Sequence, residues 1–151
     1  MQPRESEMNY WLFATDPADY SFADLERDES TVWNGVADYV AQKNLRDVEQ
    51  GDMALILHQG SEPAIVGVAR VISDAYPDPA QDDATIHVVD LEPVERLEHA
   101  IPLSALLDEP DLQDWELVEN PEMEVAEVPA PLWERLIAIS REGLVQSVRE
   151  A

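Results

Sequence analysis

The chain has 151 residues, 45% of them apolar, which suffices for one domain with a core of its own. It carries 33 acidic against 9 basic side chains, for a net charge of −24, and it has no cysteine. Disulfides and thiolate metal sites are therefore excluded, and acids scattered along the whole length do not make a disordered acidic tail. The pattern points to a folded domain with a hydrated acidic surface, as in halophiles. The start, MQPRESEMN, is polar and unlike a signal peptide, and no apolar run approaches the ~18 residues of a membrane span. The expectation is a soluble cytoplasmic protein with loose ends at 1–8 and 141–151.

Asn9 to Ala14 (NYWLFA) is strongly β-prone and predicts the first strand, closed by Thr15-Asp16-Pro17. Ser21 and Asp24 have the spacing of a capping box, predicting a short helix to about Asp28. Thr31 to Val36 is β-prone and broken by Asn34-Gly35. From Ala37 to Val48, apolar residues at 37, 40, 41, 45 and 48 suit a short amphipathic helix.

Met53 to His58 and Ile65 to Ile72 are apolar or β-branched at nearly every position. Two such neighbouring strands predict a sheet buried on both faces, curled or closed into a small barrel. Gly67, inside the second strand, marks a bulge, a bend or a close approach of another segment. Tyr76-Pro77-Asp78-Pro79 stops that strand, and an acidic loop follows to Ala84.

Thr85 to Pro102 reads as one long strand or two with a kink at Pro93. Leu103 to Leu107 gives one or two helical turns, and 110–119 has no clear pattern. Met123 to Val128 alternates as a half-buried strand does. Pro131 opens a last helix with Leu132, Trp133, Leu136, Ile137 and Ser140 on one face. Five or six strands with short helices between them, and no βαβ alternation, give an α+β fold with a mixed or mostly antiparallel sheet.

The chemistry is sparse. His58, His87 and His99 are isolated from one another and form no zinc-binding spacing. Phosphate-loop, dinucleotide and serine-hydrolase glycine motifs are all missing. In so acidic a chain, paired carboxylates carry no information. The aromatics say more. Tyr10, Trp11, Trp33, Tyr39 and Tyr76 lie in the first half beside turns. Trp33, at a strand end next to Asn-Gly, is either core or the wall of a flat pocket. Such a pocket suits a nucleobase, which stacks and hydrogen-bonds through its edge.

These residues come in an order that resembles the EVE domain family. Asn9-Tyr10-Trp11-Leu12-Phe13, Asp16-Pro17 and Tyr20-Ser21 are similar to the family's YWLFKSEP…YS start. Val32-Trp33-Asn34-Gly35-Val36 with Asn44-Leu45-Arg46 resembles its WxGVRNYQARNNLR segment. Gly51-Asp52, His58, Gly67-Val68-Ala69 and Ala75 to Pro79 resemble its GD…YHS…GIVGVAEV…AYPDP stretch. The resemblance covers residues 9–140. It implies a PUA-like curled β-barrel with short peripheral helices and no cofactor, binding a modified base in DNA or RNA without catalysis. The rim departs from the pattern. Ala14-Thr15-Asp16 replaces Lys-Ser-Glu, Ala37-Asp38 replaces Arg-Asn, and Glu124 stands where the family has serine.

The pocket so implied has Trp33 as stacking wall and Thr15 and Asp16 at the mouth. Val36 and Asp38 would offer main-chain or carboxylate contacts to the base edge. His58 would hydrogen-bond inside, and Tyr76 would form the opposite wall. Each has a plainer alternative: Tyr76 as a turn anchor, His58 as a structural histidine, Asp38 as acidic surface. Two other functions remain open, an interaction module with a degenerate pocket and a carboxylate- or metal-dependent hydrolase.

Overall fold

β1 (Tyr10–Thr15) lies next to one edge of the sheet, parallel to β3 (Met53–His58) and antiparallel to the edge strand β7 (Val125–Glu127). The computed structural model describes residues 8–36 and 38–142. With β2 (Thr31–Trp33), β4 (Ala64–Val71) and β6 (His87–Pro102), the strand order is β2-β6-β4-β3-β1-β7. A two-residue strand, β5 (Tyr76–Pro77), pairs with β6 and makes the sheet seven-stranded, one more than the sequence pattern predicts. β4 ends at Val71, before Tyr76-Pro77, which is a short strand rather than the stop expected there.

The sheet curls because its registers slip. Val68 faces Glu95 and Ala69 faces Pro93, so Val94 is an extra residue on β6. Further slips fall between Ile65 and Gly67 and between Ile56 and Leu57. Each bulge bends its strand and adds twist. The break expected at Pro93 is one of these bulges in a single continuous strand.

Both faces of the sheet are covered, as the unbroken apolar runs require. Along β1, Leu12 and Ala14 face one cluster with Leu55, Leu57, Ile101 and Leu136. Trp11 and Phe13 face the other, with Ala54, Ile56, Phe22 and Leu45. Period-two geometry distributes one apolar strand between two cores.

Local signals set the helices. α1 (Phe22–Asp28) has the reciprocal capping box: Ser21 Oγ accepts from Asp24 N (3.1 Å) and Asp24 Oδ2 accepts from Ser21 N (2.9 Å). α2 (Tyr39–Arg46) is capped by Asp38, whose Oδ2 accepts from Ala41 N at 3.0 Å. α3 (Leu103–Leu107) follows β6 directly. The unpatterned stretch holds a 3-10 turn, Pro110–Leu112, and α4 (Glu116–Glu119). α5 (Ala130–Glu142) has Pro131 in its first turn and buries Leu136 and Ser140. Continuation of α5 past 142 and the loose start lie outside the described residues. Among the described residues, no helix is long and apolar enough to cross a membrane.

Candidate functional site

The ends of β1 and β2 make two turns that face each other. After β1, Asp16 O accepts from Asp19 N and Tyr20 N, both at 2.9 Å. Asp16 Oδ1 accepts from Ala18 N (2.9 Å), and Thr15 Oγ1 donates to Tyr20 O (2.9 Å). This closed network fixes the segment from Thr15 to Tyr20. After β2, Gly35 takes φ +86°, a left-handed turn that disfavours any side chain with a Cβ. The turn ends at Val36, whose carbonyl accepts from Gln42 Nε2 at 2.7 Å. Buried Gln42 also accepts from His87 N and donates to His87 O, tying the turn to β6.

Between these turns is a cavity of about 490 Å³. Thr15, Asp16, Asp19 and Tyr20 form one side; Thr31 and the stretch Val32 to Val36 form the other. Gln59 and Glu124 complete the lining. Three carboxylates, Asp16, Asp19 and Glu124, face the space, and no lysine or arginine lines it. The arrangement suits a neutral or cationic hydrogen-bond donor and opposes phosphate.

Of the seven residues proposed from sequence, the cavity brings together Thr15, Asp16, Trp33 and Val36. Trp33 is both core and wall. Only 5% of it is exposed, and it packs edge-on to Tyr20 (6.2 Å, 88°) and tilted against Phe13 (5.8 Å, 54°). The Val36 carbonyl already accepts one hydrogen bond, from Gln42 Nε2.

The structure places the other three elsewhere. The Asp38 carboxylate is the cap of α2, and its N–H donates to Glu124 Oε1 at 3.3 Å, so it adjoins the cavity without lining it. His58 Nε2 accepts from Phe22 N at 2.9 Å and seats the start of α1. Burial, with a smaller effect of the Arg96 charge, holds its pKa below the ordinary value, as a neutral acceptor requires. Tyr76 donates to Asp90 Oδ1 at 2.7 Å across β5 and β6. That bond, with burial and the Asp90 charge, pushes its pKa up to about 12. Tyr76 anchors a turn and forms no wall of this cavity.

Tyr20, Asp19, Asn34, Gln59 and Glu124 were not assigned to the site from sequence. Glu124 had a signal: it is the acid at a family serine position. Tyr20 stands inside the motif that follows β1, but its hydroxyl, which donates to Asp28 Oδ2 (2.8 Å), gave no hint of the cavity. A second cavity of about 380 Å³, lined by Trp115, Pro129, Pro131, Leu132 and neighbours, is largely apolar. Among the described residues no three His, Asp or Glu side chains are grouped to hold a metal ion.

A curled mixed sheet with short helices and a cavity at its strand ends defines a PUA-like domain. The family model described as EVE domain matches residues 9–139, and the chain belongs to that family. Thymocyte nuclear protein 1 of Gallus gallus is 33% identical over 52% of this chain and 38% of its own length. The chain spans 38–55% of the length of the curated relatives it matches. Rpa0253 from Rhodopseudomonas palustris superposes with a TM-score of 0.82 at 27% identity, covering 88% of this chain and 93% of that one. Human THYN1, in complex with 5-methylcytosine containing DNA, has a TM-score of 0.78 at 21% identity, covering 87% and 97%. This last likeness is one of fold.

Proposed function

We propose that this domain binds a modified nucleobase of DNA or RNA in the cavity between the β1 and β2 turns, without catalysing a reaction on it. One observation carries the reading: a cavity of about 490 Å³ in an EVE domain, backed by Trp33 and rimmed by acceptors rather than by cations. The volume falls within the roughly 300–1,000 Å³ of small-molecule sites. The fold relative bound to 5-methylcytosine containing DNA supports the ligand class.

Asp16, Asp19 and Glu124 can accept from an exocyclic amino group, as a carboxylate does from cytosine N4. Amino-bearing bases are therefore favoured over keto bases. Trp33 and Tyr20 supply the aromatic surface, with base stacking worth ~1–3 kcal/mol. The acidic surface suits concentrated salt, in which phosphate attraction contributes little and base contacts dominate.

A titration of free modified nucleosides against wild type and Trp33→Ala tests this. The variant should lose more than tenfold in affinity, tenfold being about 1.4 kcal/mol. Cooperative unfolding of the variant must first be shown, because Trp33 also fills the core. A folded variant that binds as tightly as wild type would remove Trp33 from the site.

A further inference from the structure

The exposed face of α2 is distinct from the cavity and unlike the rest of this acidic surface. Tyr39, Lys43 and Arg46 stand at i, i+4 and i+7, which places them on one side of the helix. All three are exposed, and Tyr39, at 77%, is the most exposed large hydrophobic residue described.

Among the described residues, four of the five arginines outside this face are ion-paired, Arg141 at the end of α5 being the exception. Arg27, Arg70, Arg96 and Arg135 are each ion-paired with Asp or Glu. Lys43, the single lysine of the chain, has no carboxylate partner among the described residues. Arg46 donates only to a neutral acceptor, Thr85 O, at 3.1 Å. A chain of net charge −24 thus keeps two cations unpaired, side by side, next to an exposed aromatic ring. The face starts at the cavity rim: Asp38, the cap of α2, donates its N–H to Glu124, which lines the cavity. From Tyr39 to Arg46 it runs about 10 Å at ~1.5 Å per residue.

We propose that this face of α2 carries the single strand flanking the base held in the cavity. Tyr39 stacks the neighbouring base, and Lys43 and Arg46 meet the phosphates beyond it. The occupant is a nucleic-acid strand because cations and an aromatic ring in line match its alternation of phosphate and base. The inference rests on the proposed base site and extends it. The cavity reads one base, and α2 supplies the phosphate contacts that the cavity lacks.

The test compares 5-methyl-2′-deoxycytidine with single-stranded heptamers carrying one central 5-methylcytosine, as DNA and as RNA. Affinities are measured over a KCl series. Two neutralised phosphates give a slope of log K on log salt of about −1.4 for single strands. Lys43→Gln/Arg46→Gln should flatten that slope and, at the dilute end of the KCl series where phosphate attraction is felt, weaken heptamer binding about tenfold while leaving nucleoside binding unchanged. Tyr39→Ala should weaken heptamer binding about tenfold and leave the slope intact. A loss of only the DNA or only the RNA heptamer identifies which strand the face carries.

Heptamer binding and slope unchanged in both variants would overturn the proposal. So would wild type that binds the heptamer no better than the nucleoside, or polyglutamate that competes as well as the heptamer. Nucleoside binding without these heptamer effects sinks the α2 track alone. Heptamer binding lost in the variants, with no nucleoside binding by wild type, upholds the track and sinks the cavity as the base site.

Discussion

Gly67 of β4 lies directly beneath the ring of Phe22, the first residue of α1: a Cβ at Gly67 would stand 2.5 Å from Phe22 Cε1. The glycine therefore works through absent volume rather than through backbone freedom. It lets α1 pack on the curled sheet where β4 slips against β6. The guanidinium of Arg96 lies over the same ring, 5.5 Å from its centroid, so Phe22 has little room to move away. Gly67→Val should destabilise the domain by roughly 1–3 kcal/mol. Denaturant titration measures this, and Phe22→Leu in the Gly67→Val background should cost less than in wild type. Additive losses would mean that the two residues do not compete for space.

His58 makes stability depend on pH in a definite direction. Burial, with a smaller effect of the Arg96 charge, depresses its folded pKa, and Nε2 is unprotonated where it accepts from Phe22 N. The unfolded chain then binds more protons than the folded one as pH falls below about 6.5. The contribution is complete above that pH and is lost as the pH drops toward the folded value. His58→Gln retains an acceptor and removes the titration. Melting temperatures from pH 8 to pH 5, a range chosen to bracket the imidazole, should fall more for wild type than for the variant. Parallel curves would show that His58 does not titrate against folding.

A net charge of −24 on 151 residues repels itself unless salt screens it. The described ion pairs are all surface pairs, worth little individually. Melting temperature should rise as KCl goes from dilute to molar, where the Debye length shrinks to about 3 Å. A flat or falling curve would show that the acidic surface is no adaptation to salt.

The sheet was readable because its signals are local. Apolar residues at every position from Met53 to Leu57 require cover on both faces, and two clusters supply it. Ser21 and Asp24 announced α1 through a contact three residues long. Gly67 told that something came close, but not that it was Phe22, which is far away in the chain. The family resemblance suggests seven pocket residues, and four of them line the cavity. Thr15, Asp16, Trp33 and Val36 sit at or just beyond the ends of β1 and β2, the two ends that the cavity lies between. Asp38, His58 and Tyr76 are polar groups whose roles depend on the nearest unsatisfied partner. Those partners are Ala41 N, Phe22 N and Asp90, and spacing alone does not rank them above a ligand. Gln42, which holds Val36 against β6, looked like a polar position on an amphipathic helix.

The four tryptophans give the most direct test of base binding at the β1–β2 cavity. Trp33 lines it. Trp11 is locked to Asp52 by Nε1 at 3.0 Å, Trp115 donates to Glu127 O at 2.7 Å beside the second cavity, and Trp133 stacks on Tyr10 at 4.5 Å. The indole N–H signals of ¹⁵N-labelled protein are followed during titration with modified nucleosides in concentrated KCl. Binding at the cavity predicts a saturable shift of the Trp33 signal, with Trp11, Trp115 and Trp133 unmoved. A shift confined to Trp115 or Trp133, or none at saturating nucleoside, would contradict it.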